Sequence, residues 1–398
     1  MAAGAVSRPE ESSIAVTAAT AVEACALRLE TARIPALDGL RGMAILLVLA
    51  WHGIFQVQLE SKTISRLLSI GSLSWSGVDL FFVLSGFLIG GILLDAKDSP
   101  RYFSTFYIRR AYRILPLYAL LAGAMVLTRS PFLPAWIRQS SPDPVPLWSY
   151  VTFTQNIWMA VTASFGSVIM SATWSLAIEE QFYLTSPILI RNLTYPVLAR
   201  GLIATVLLVP LLRTVLCFYL PHGGFASYVL MPCRADDLCM GVLVAMLTRD
   251  RALWARVRAQ RRMLFWIAGT LAIPLAYFSW RQYGPYSRPM VTIGYSLLGI
   301  FYTCWLIVAL TASGPVRRLL CQKRLMQLGT IAYCAYLLHL PMIEFWVRLL
   351  RQRFSGGAAV DFAAGLLGIG LTLGIAAWSW KVFERPLLRK GHAYKYQD

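Results

Sequence analysis

The sequence predicts an all-α membrane protein, a polytopic integral membrane bundle of about ten transmembrane helices. Three observations support this prediction. Hydrophobic residues make up 57% of the 398 residues and charged residues only 14%, whereas an ordinary soluble domain has roughly 25% charged residues. The mean hydropathy is +0.59. Apolar runs of about 17–25 residues, the length that a membrane span needs, recur along the chain.

This composition excludes several broad classes of protein. A soluble globule of this length would need far more polar surface, and a disordered scaffold would need much less apolar content. The seven cysteines include no Cys-x-x-Cys pair, so we predict neither a metal site nor a disulfide framework. The net charge of +18 indicates basic cytoplasmic loops in a membrane protein, and we expect no nucleic acid partner.

Ten spans of roughly 20 residues can be placed along the chain. They cover residues 37–57, 76–94, 112–128, 173–190, 197–219, 236–248, 263–280, 290–312, 327–349 and 360–383. An even number of spans puts both termini on one side, and most of the 37 Lys and Arg residues fall on that side. The positive-inside rule then predicts that both termini are cytoplasmic.

The segment at about 129–172 is predicted to lie on the opposite side of the membrane. Its tryptophans, Trp136, Trp148 and Trp158, suit a position at the membrane surface. The sequence leaves two alternatives open, a simple packing loop and a lid over a binding site. It also leaves open whether the part at 147–163 spans the membrane or caps it.

Arg41 and His52 are the first ionisable residues predicted within the membrane. They are eleven residues apart, which at 100° per residue places them on one helix face with a rise of roughly 16 Å. The pKa of a free imidazole lies near neutrality, so His52 suits proton abstraction from a hydroxyl group. The alternative is a structural histidine that is hydrogen-bonded within the bundle.

Carboxylates occur in two other predicted spans. Asp79, near the outer end of the second span, could pair with His52, or could simply cap its helix. Glu179 and Glu180 are adjacent, so they point about 100° apart on a helix, and one of them can face the bundle. A charge at the bilayer centre costs roughly 2.5–3.5 kcal/mol on the most lenient scale, so these residues are functional candidates.

Basic residues at the start of the third span form a second candidate site. Arg109 and Arg113 are i, i+4 neighbours, with Arg110 beside them. Guanidinium groups bind phosphates with two parallel hydrogen bonds, which suits a nucleotide-bearing donor. Ordinary positive-inside topology is the alternative. His339, in the run YLLHLP, is interpreted as a structural histidine bonded to a backbone carbonyl.

Seven motifs in order carry a resemblance to a known family. They are LDGLRGMAILLVLAWH, GVDLFFVLSGFLIG, FYIRRAYRILPLY, TWSLAIEEQFYL, RADDLCMG, AYCAYLLHLP and FERP. With this series the chain resembles the acyltransferase family 3 membrane proteins, which O-acylate cell-envelope polysaccharides and related acceptors. The resemblance implies a membrane domain over residues 33–386, flanked by a disordered cytoplasmic tail at 1–32 and a short cytoplasmic tail at 387–398. Because so little follows FERP, we expect no fused domain after the last helix.

The resemblance also implies residue roles. The family's Arg-x10-His pair falls on Arg41 and His52, and its Trp-Ser-x-x-x-Glu segment ends at Glu179. Its basic motif falls on Arg110 and Arg113.

The implied reaction is transfer of an acyl group, often acetyl, from acyl-CoA to a hydroxyl of a carbohydrate or glycolipid acceptor. The implied location is a bacterial plasma membrane, and the implied product is a modified envelope polysaccharide, lipopolysaccharide or exopolysaccharide. Acyl-CoA would be a substrate, so no permanently bound cofactor is expected.

The sequence hypothesis is therefore an inner-membrane O-acyltransferase with His52 at its centre. His52 would act as a general base, or would carry the acyl group covalently, with Asp79 or Glu179 orienting its ring. Arg109, Arg110 and Arg113, and also Arg41, would bind the phosphates of acyl-CoA. The alternative is a transporter or flippase for an envelope lipid or glycan, in which the polar residues line a path.

Overall fold

The computed structural model describes residues 34–57, 66, 68–132, 143–354 and 356–396. The predicted tail at residues 1–32 and the tryptophan at 136 lie outside the described residues. Every regular element within these ranges is helical, which confirms the predicted all-α class. The first helices are α1 Pro35–Ala50, α2 Gly77–Asp95, α3 Tyr102–Leu127, α4 Leu147–Val151, α5 Gln155–Thr162, α6 Val168–Ser171, α7 Thr173–Asn192, α8 Tyr195–Tyr219 and α9 Gly223–Val229.

The remaining helices complete the bundle. They are α10 Ala235–Leu247, α11 Arg251–Ala259, α12 Arg261–Trp280, α13 Tyr295–Thr311, α14 Gly314–Leu320, α15 Lys323–Arg353, α16 Ala358–Ser379 and α17 Arg385–His392. Wider π-helical turns at Trp51–Phe55, Met290–Gly294 and Trp380–Glu384 continue three of these helical stretches. The predicted C-terminal tail therefore begins inside a helix, α17.

Within the described residues, eight helical stretches are long and apolar enough to cross a membrane. They are Pro35–Phe55, Ser74–Asp95, Tyr102–Leu127, Tyr195–Tyr219, Arg261–Trp280, Met290–Thr311, Lys323–Arg353 and Ala358–His392. Each coincides with one of the ten predicted spans. The other two predicted spans form α7 and α10, which do not meet this test. With 13 residues, α10 is only about 20 Å long, less than the roughly 30 Å of a hydrocarbon core.

Glycines allow the central helices to approach closely. A Cβ added at Gly42 of α1 would lie 2.1 Å from the carbonyl oxygen of Leu325 in α15. A Cβ added at Gly86 of α2 would lie 2.0 Å from the carbonyl oxygen of Leu238 in α10. Because a backbone atom blocks each added Cβ, only glycine fits these crossings without movement of the helices. The first crossing places α1, which carries Arg41, against α15, which carries His339.

The segment at 147–163 does not form a membrane-spanning helix. It forms two short helices, α4 and α5, and Gln155 and Asn156 in the first turn of α5 are fully buried. Gln181 donates hydrogen bonds of 2.9 Å to the Phe153 carbonyl and to Asn156 Oδ1. Gln181 lies eight residues into α7, about 12 Å from its start. Buried polar contacts therefore attach the segment to α7, while Val151 and Val161 stay exposed.

Candidate active site

A cavity of about 300 Å³ lies between α1, α2, α3, α7 and α15. Arg41, Arg110 and Arg113 line it, together with the Glu179 carboxylate and His392. Most of the remaining lining residues are apolar or aromatic. We name this space the arginine cavity. Three guanidiniums facing one carboxylate leave positive charge in excess, so the cavity suits an anionic ligand such as a phosphate ester.

Arg109 does not line the arginine cavity, which corrects the predicted pairing of Arg109 with Arg113. Its Nε donates a 2.9 Å hydrogen bond to the Tyr394 carbonyl, and its guanidinium lies 4.8 Å from the ring centre of Tyr396. Residues three and four apart are both neighbours on a helix surface. In the observed orientation of α3, the i, i+3 pair of Arg110 and Arg113 faces the cavity. Arg109 faces the C-terminal segment.

Glu179 lies among the arginines and not beside His52. Its Oε2 accepts a 3.1 Å hydrogen bond from the Tyr183 hydroxyl, which also lies 3.1 Å from Ser85 Oγ. The sequence hypothesis of an orienting carboxylate next to His52 therefore has no support from the position of Glu179. In this arrangement Glu179 partly balances the positive charge of the arginine cavity.

A second cavity, of about 360 Å³, contains His52 and His339. We name it the histidine cavity. Aromatic side chains make up much of its wall, namely Trp51, Trp75, Phe165, Trp174, Tyr228, Tyr286 and Tyr336. Flat aromatic faces with a few polar groups are typical of sites that bind small ligands. Phe165 belongs to the predicted loop at 129–172, so the described part of that loop, residues 143–172, contributes to the wall of this cavity.

A backbone carbonyl group orients the ring of His52. His52 lies in the π-helical turn at Trp51–Phe55, and its Nδ1 is 3.0 Å from the Val48 carbonyl oxygen. A carbonyl can only accept, so Nδ1 carries a hydrogen, and the lone pair of the neutral ring is on Nε2. π-turns often occur at functional sites. The Val48 carbonyl thus does what Asp79 or Glu179 was predicted to do.

His339 is the residue of this site whose position the sequence did not indicate. The predicted carbonyl bond is confirmed, since Nδ1 lies 2.6 Å from the Tyr336 carbonyl oxygen. However, the ring centre lies 4.8 Å from that of His52 in an edge-to-face arrangement. Nε2 of His339 is buried and has no hydrogen-bond partner among the described residues. In the sequence near His339, the feature that indicated an unusual backbone environment was Pro341, two residues later.

Asp79 is buried in an ion pair with Arg234, away from His52. Arg234 also contacts Asp237 at 3.1 Å, and Arg213 pairs with Asp236 at 2.8 Å. All five side chains are at most 1% exposed. This cluster of ionised side chains joins α2, α8 and α10. Asp79 therefore belongs to a buried structural cluster, which corrects its predicted role as the partner of His52.

Removing Arg234 should destabilise the protein strongly. Arg234→Met would leave Asp79 and Asp237 buried without their cation, and breaking a buried pair in this way costs about 3–5 kcal/mol. The expected result is a large fall in the thermal unfolding temperature of the purified protein in detergent. The matched control is Arg351→Met, which removes an ion pair with Asp361 whose arginine is 56% exposed and should change stability by less than about 1 kcal/mol. Equal stability of the two variants would contradict a structural role for the cluster.

The two cavities meet at Val78 and Tyr336, which line both. The Tyr336 hydroxyl lies 2.7 Å from Ser175 Oγ, and Ser175 lines the arginine cavity. Trp174, the neighbour of Ser175, lines the histidine cavity. The hydrogen-bonded pair of Tyr336 and Ser175 therefore stands between a cationic space and an imidazole-containing space. The two cavities are therefore neighbours that share the side chains of Val78 and Tyr336 as a common wall.

Comparisons with known proteins agree over nearly the whole described region. A family model described as an acyltransferase domain matches residues 34–381. The peptidoglycan O-acetyltransferase OatA of Listeria monocytogenes is 28% identical over 377 residues, covering 90% of this chain and 56% of its own length. The O-acetyltransferase OatA of Staphylococcus aureus is 26% identical over 368 residues, covering 90% of this chain and 58% of its own length. This chain thus spans little more than half the length of these relatives. No solved structure matches it.

Proposed function

The chain belongs to the acyltransferase family whose domain it matches over residues 34–381, and from this membership we propose that it is a membrane O-acyltransferase. The proposed reaction moves an acetyl group from acetyl-CoA to a hydroxyl of a cell-wall polysaccharide such as peptidoglycan. One observation carries the proposal: a cavity lined by guanidiniums and a cavity containing two imidazoles meet at Tyr336. The names of the relatives support acetyl as the group and peptidoglycan as the acceptor class.

The donor is proposed to bind in the arginine cavity. Arg41, Arg110 and Arg113 would hold the phosphates of acetyl-CoA, and the thioester would point along the apolar wall towards Tyr336. Acyl-CoA is made in the cytoplasm, so this cavity should face the cytoplasm. The excess of Lys and Arg on the side of the termini supports that orientation. Under this proposal both termini lie on the cytoplasmic side of a bacterial plasma membrane.

The acceptor is proposed to bind in the histidine cavity. Sugar rings have apolar faces that stack on aromatic side chains, and the wall of this cavity offers Trp51, Trp75 and Trp174. The hydroxyl groups of the sugar need hydrogen-bond acceptors, and the Nε2 atoms of His52 and His339 can serve as these acceptors. A pocket with aromatic walls and few polar groups fixes the orientation of its ligand. Phe165, from the loop that precedes α6, would cover the bound sugar.

The proposed chemistry uses the neutral ring of His52. Nε2 takes the proton of the acceptor hydroxyl while the hydroxyl oxygen attacks the thioester carbonyl carbon. The C–O bond forms, the C–S bond breaks with its electron pair on sulfur, and the imidazolium returns its proton to give free CoA thiol. In the other route, Nε2 itself attacks the thioester carbonyl carbon, and the C–S bond breaks with its electron pair on sulfur to give an acyl-imidazolium and the CoA thiolate. The acceptor hydroxyl then attacks the acyl carbon, the C–N bond breaks with its electron pair returning to Nε2, and the hydroxyl proton passes to the thiolate. His339 would accept a hydrogen bond from the acceptor in either route.

The test is release of free CoA from acetyl-CoA by the purified protein. We expect release that depends on an added muropeptide or peptidoglycan fragment and is matched by acetyl ester in the product. Release without acceptor that still requires His52 would favour the acyl-imidazole route. No release with a folded protein and a broad panel of acceptors would overturn the proposal and favour the transporter alternative.

A further inference from the structure

Residues 385–396, which we name the C-terminal clasp, fold back onto α3. Arg109 of α3 donates a 2.9 Å hydrogen bond to the Tyr394 carbonyl and lies over the ring of Tyr396 at 4.8 Å. Tyr396 is only 1% exposed. An aromatic side chain buried in this way indicates that the clasp is packed against the bundle, because a loosely attached segment would leave the ring in solvent.

Two further contacts fix the position of the clasp along α3. Thr105 Oγ1 donates a 2.9 Å hydrogen bond to the Lys395 carbonyl. A Cβ added at Gly391 would lie 3.0 Å from the Cβ of Tyr112, so the clasp helix approaches α3 closely at the residue just before His392. Contacts on both sides of His392 therefore determine where its imidazole lies.

That position is the rim of the arginine cavity. His392 lines the cavity together with Arg110 and Arg113 of α3. It is exposed to solvent, so an entering ligand can reach it. Nothing in the series of motifs indicated a role for this histidine. We propose that the C-terminal clasp completes the donor site and that His392 binds an anionic group of the donor.

The chemical class of the ligand follows from the groups that surround His392. Two guanidiniums and an imidazole at one rim supply several N–H donors, which suit a phosphate or diphosphate ester. The inference rests on the proposed function, because it takes CoA as the molecule that enters this cavity. In this proposal residues 387–396, which follow the last of the seven motifs, form a wall of the donor site, and Arg109 holds that wall in place through the Tyr394 carbonyl.

The experiment measures binding of unacylated CoA to the full-length purified protein by calorimetry. We expect His392→Gln to weaken CoA binding roughly three- to tenfold, the scale of one charge-assisted hydrogen bond at a partly exposed site. The matched control is Lys390→Gln, which removes a basic side chain two residues away that does not line the cavity and should leave CoA binding unchanged. Arg109→Ala, which releases the clasp, should weaken CoA binding in the same direction.

A second measurement separates phosphate binding from a general disturbance of the site. The apparent KM for acetyl-pantetheine, which lacks the phosphates of CoA, should be the same for wild-type protein and His392→Gln. Wild-type affinity for CoA in His392→Gln, or an equal loss in Lys390→Gln, would overturn the inference and leave the proposed function intact. Failure of the wild-type protein to bind CoA would instead overturn the proposed donor, and with it this inference.

Discussion

Replacing His52 with glutamine is expected to lower kcat by about 10²–10⁴-fold, the usual contribution of a general base. Glutamine is close to histidine in size and neutral, so it preserves packing in the π-helical turn but cannot take a proton. The measurement is acceptor-dependent CoA release, with thermal unfolding as the check on folding. If the variant unfolds at the wild-type temperature and turns over at nearly the wild-type rate, His52 does not take part in the reaction.

Substitutions of two other histidines provide a control and a comparison for this experiment. His222→Asn is the matched control, because His222 is exposed and has a left-handed backbone conformation (φ 56°) that asparagine tolerates. It should have wild-type activity. His339→Gln tests the second imidazole of the cavity. If His339 only accepts a hydrogen bond from the acceptor, its loss should raise the KM of the acceptor more than it lowers kcat. The opposite pattern would make His339 the base and His52 its partner.

Replacing Arg113 with alanine is expected to raise the apparent KM for acetyl-CoA by about 10- to 100-fold, the scale of hydrogen bonds to a charged group. The KM for the acceptor should change much less, because Arg113 lines the arginine cavity and does not line the histidine cavity. Steady-state kinetics with each substrate varied in turn give both values. Arg113→Lys keeps the charge but loses the bidentate geometry, so it should fall between wild type and alanine.

The control for this arginine is Arg101→Ala at the start of the same helix. Arg101 is exposed and does not line the arginine cavity, so its loss tests whether any positive charge at this surface matters. We expect no change in either KM. Equal increases for donor and acceptor in Arg113→Ala would indicate a role in topology or folding rather than in donor binding.

The hydrophobic composition was sufficient to predict the fold. Runs of about 20 apolar residues have few structural solutions in a bilayer, because unpaired backbone groups are costly there. All eight stretches that meet the length and composition test coincide with predicted spans. The predicted bounds of a span differ from the observed bounds of its helix where polar residues continue the helix beyond the apolar run. The third span was predicted to begin at residue 112, but α3 begins at Tyr102, since a helix does not end where the membrane does.

The sequence by itself also singled out most of the ionisable residues that line the two cavities. Arg41, Arg110, Arg113 and Glu179 line one cavity and His52 lines the other. Residue type and spacing are enough for this, because a charged side chain within a membrane span is costly and is seldom retained without a role.

Only the tertiary structure decided which of these groups meet. Helical periodicity states which residues share a face of one helix, but not which neighbour that face contacts. Asp79 faces Arg234, 155 residues away in sequence, and not His52. His52 meets His339 because glycine lets α1 cross α15 at close range. Arg109 contacts the C-terminal clasp instead of the arginine cavity, and His392 lines that cavity, because the clasp packs on α3. Such pairings depend on the relative positions of whole helices. The packing of the bundle determines these positions, and a local sequence pattern does not predict them.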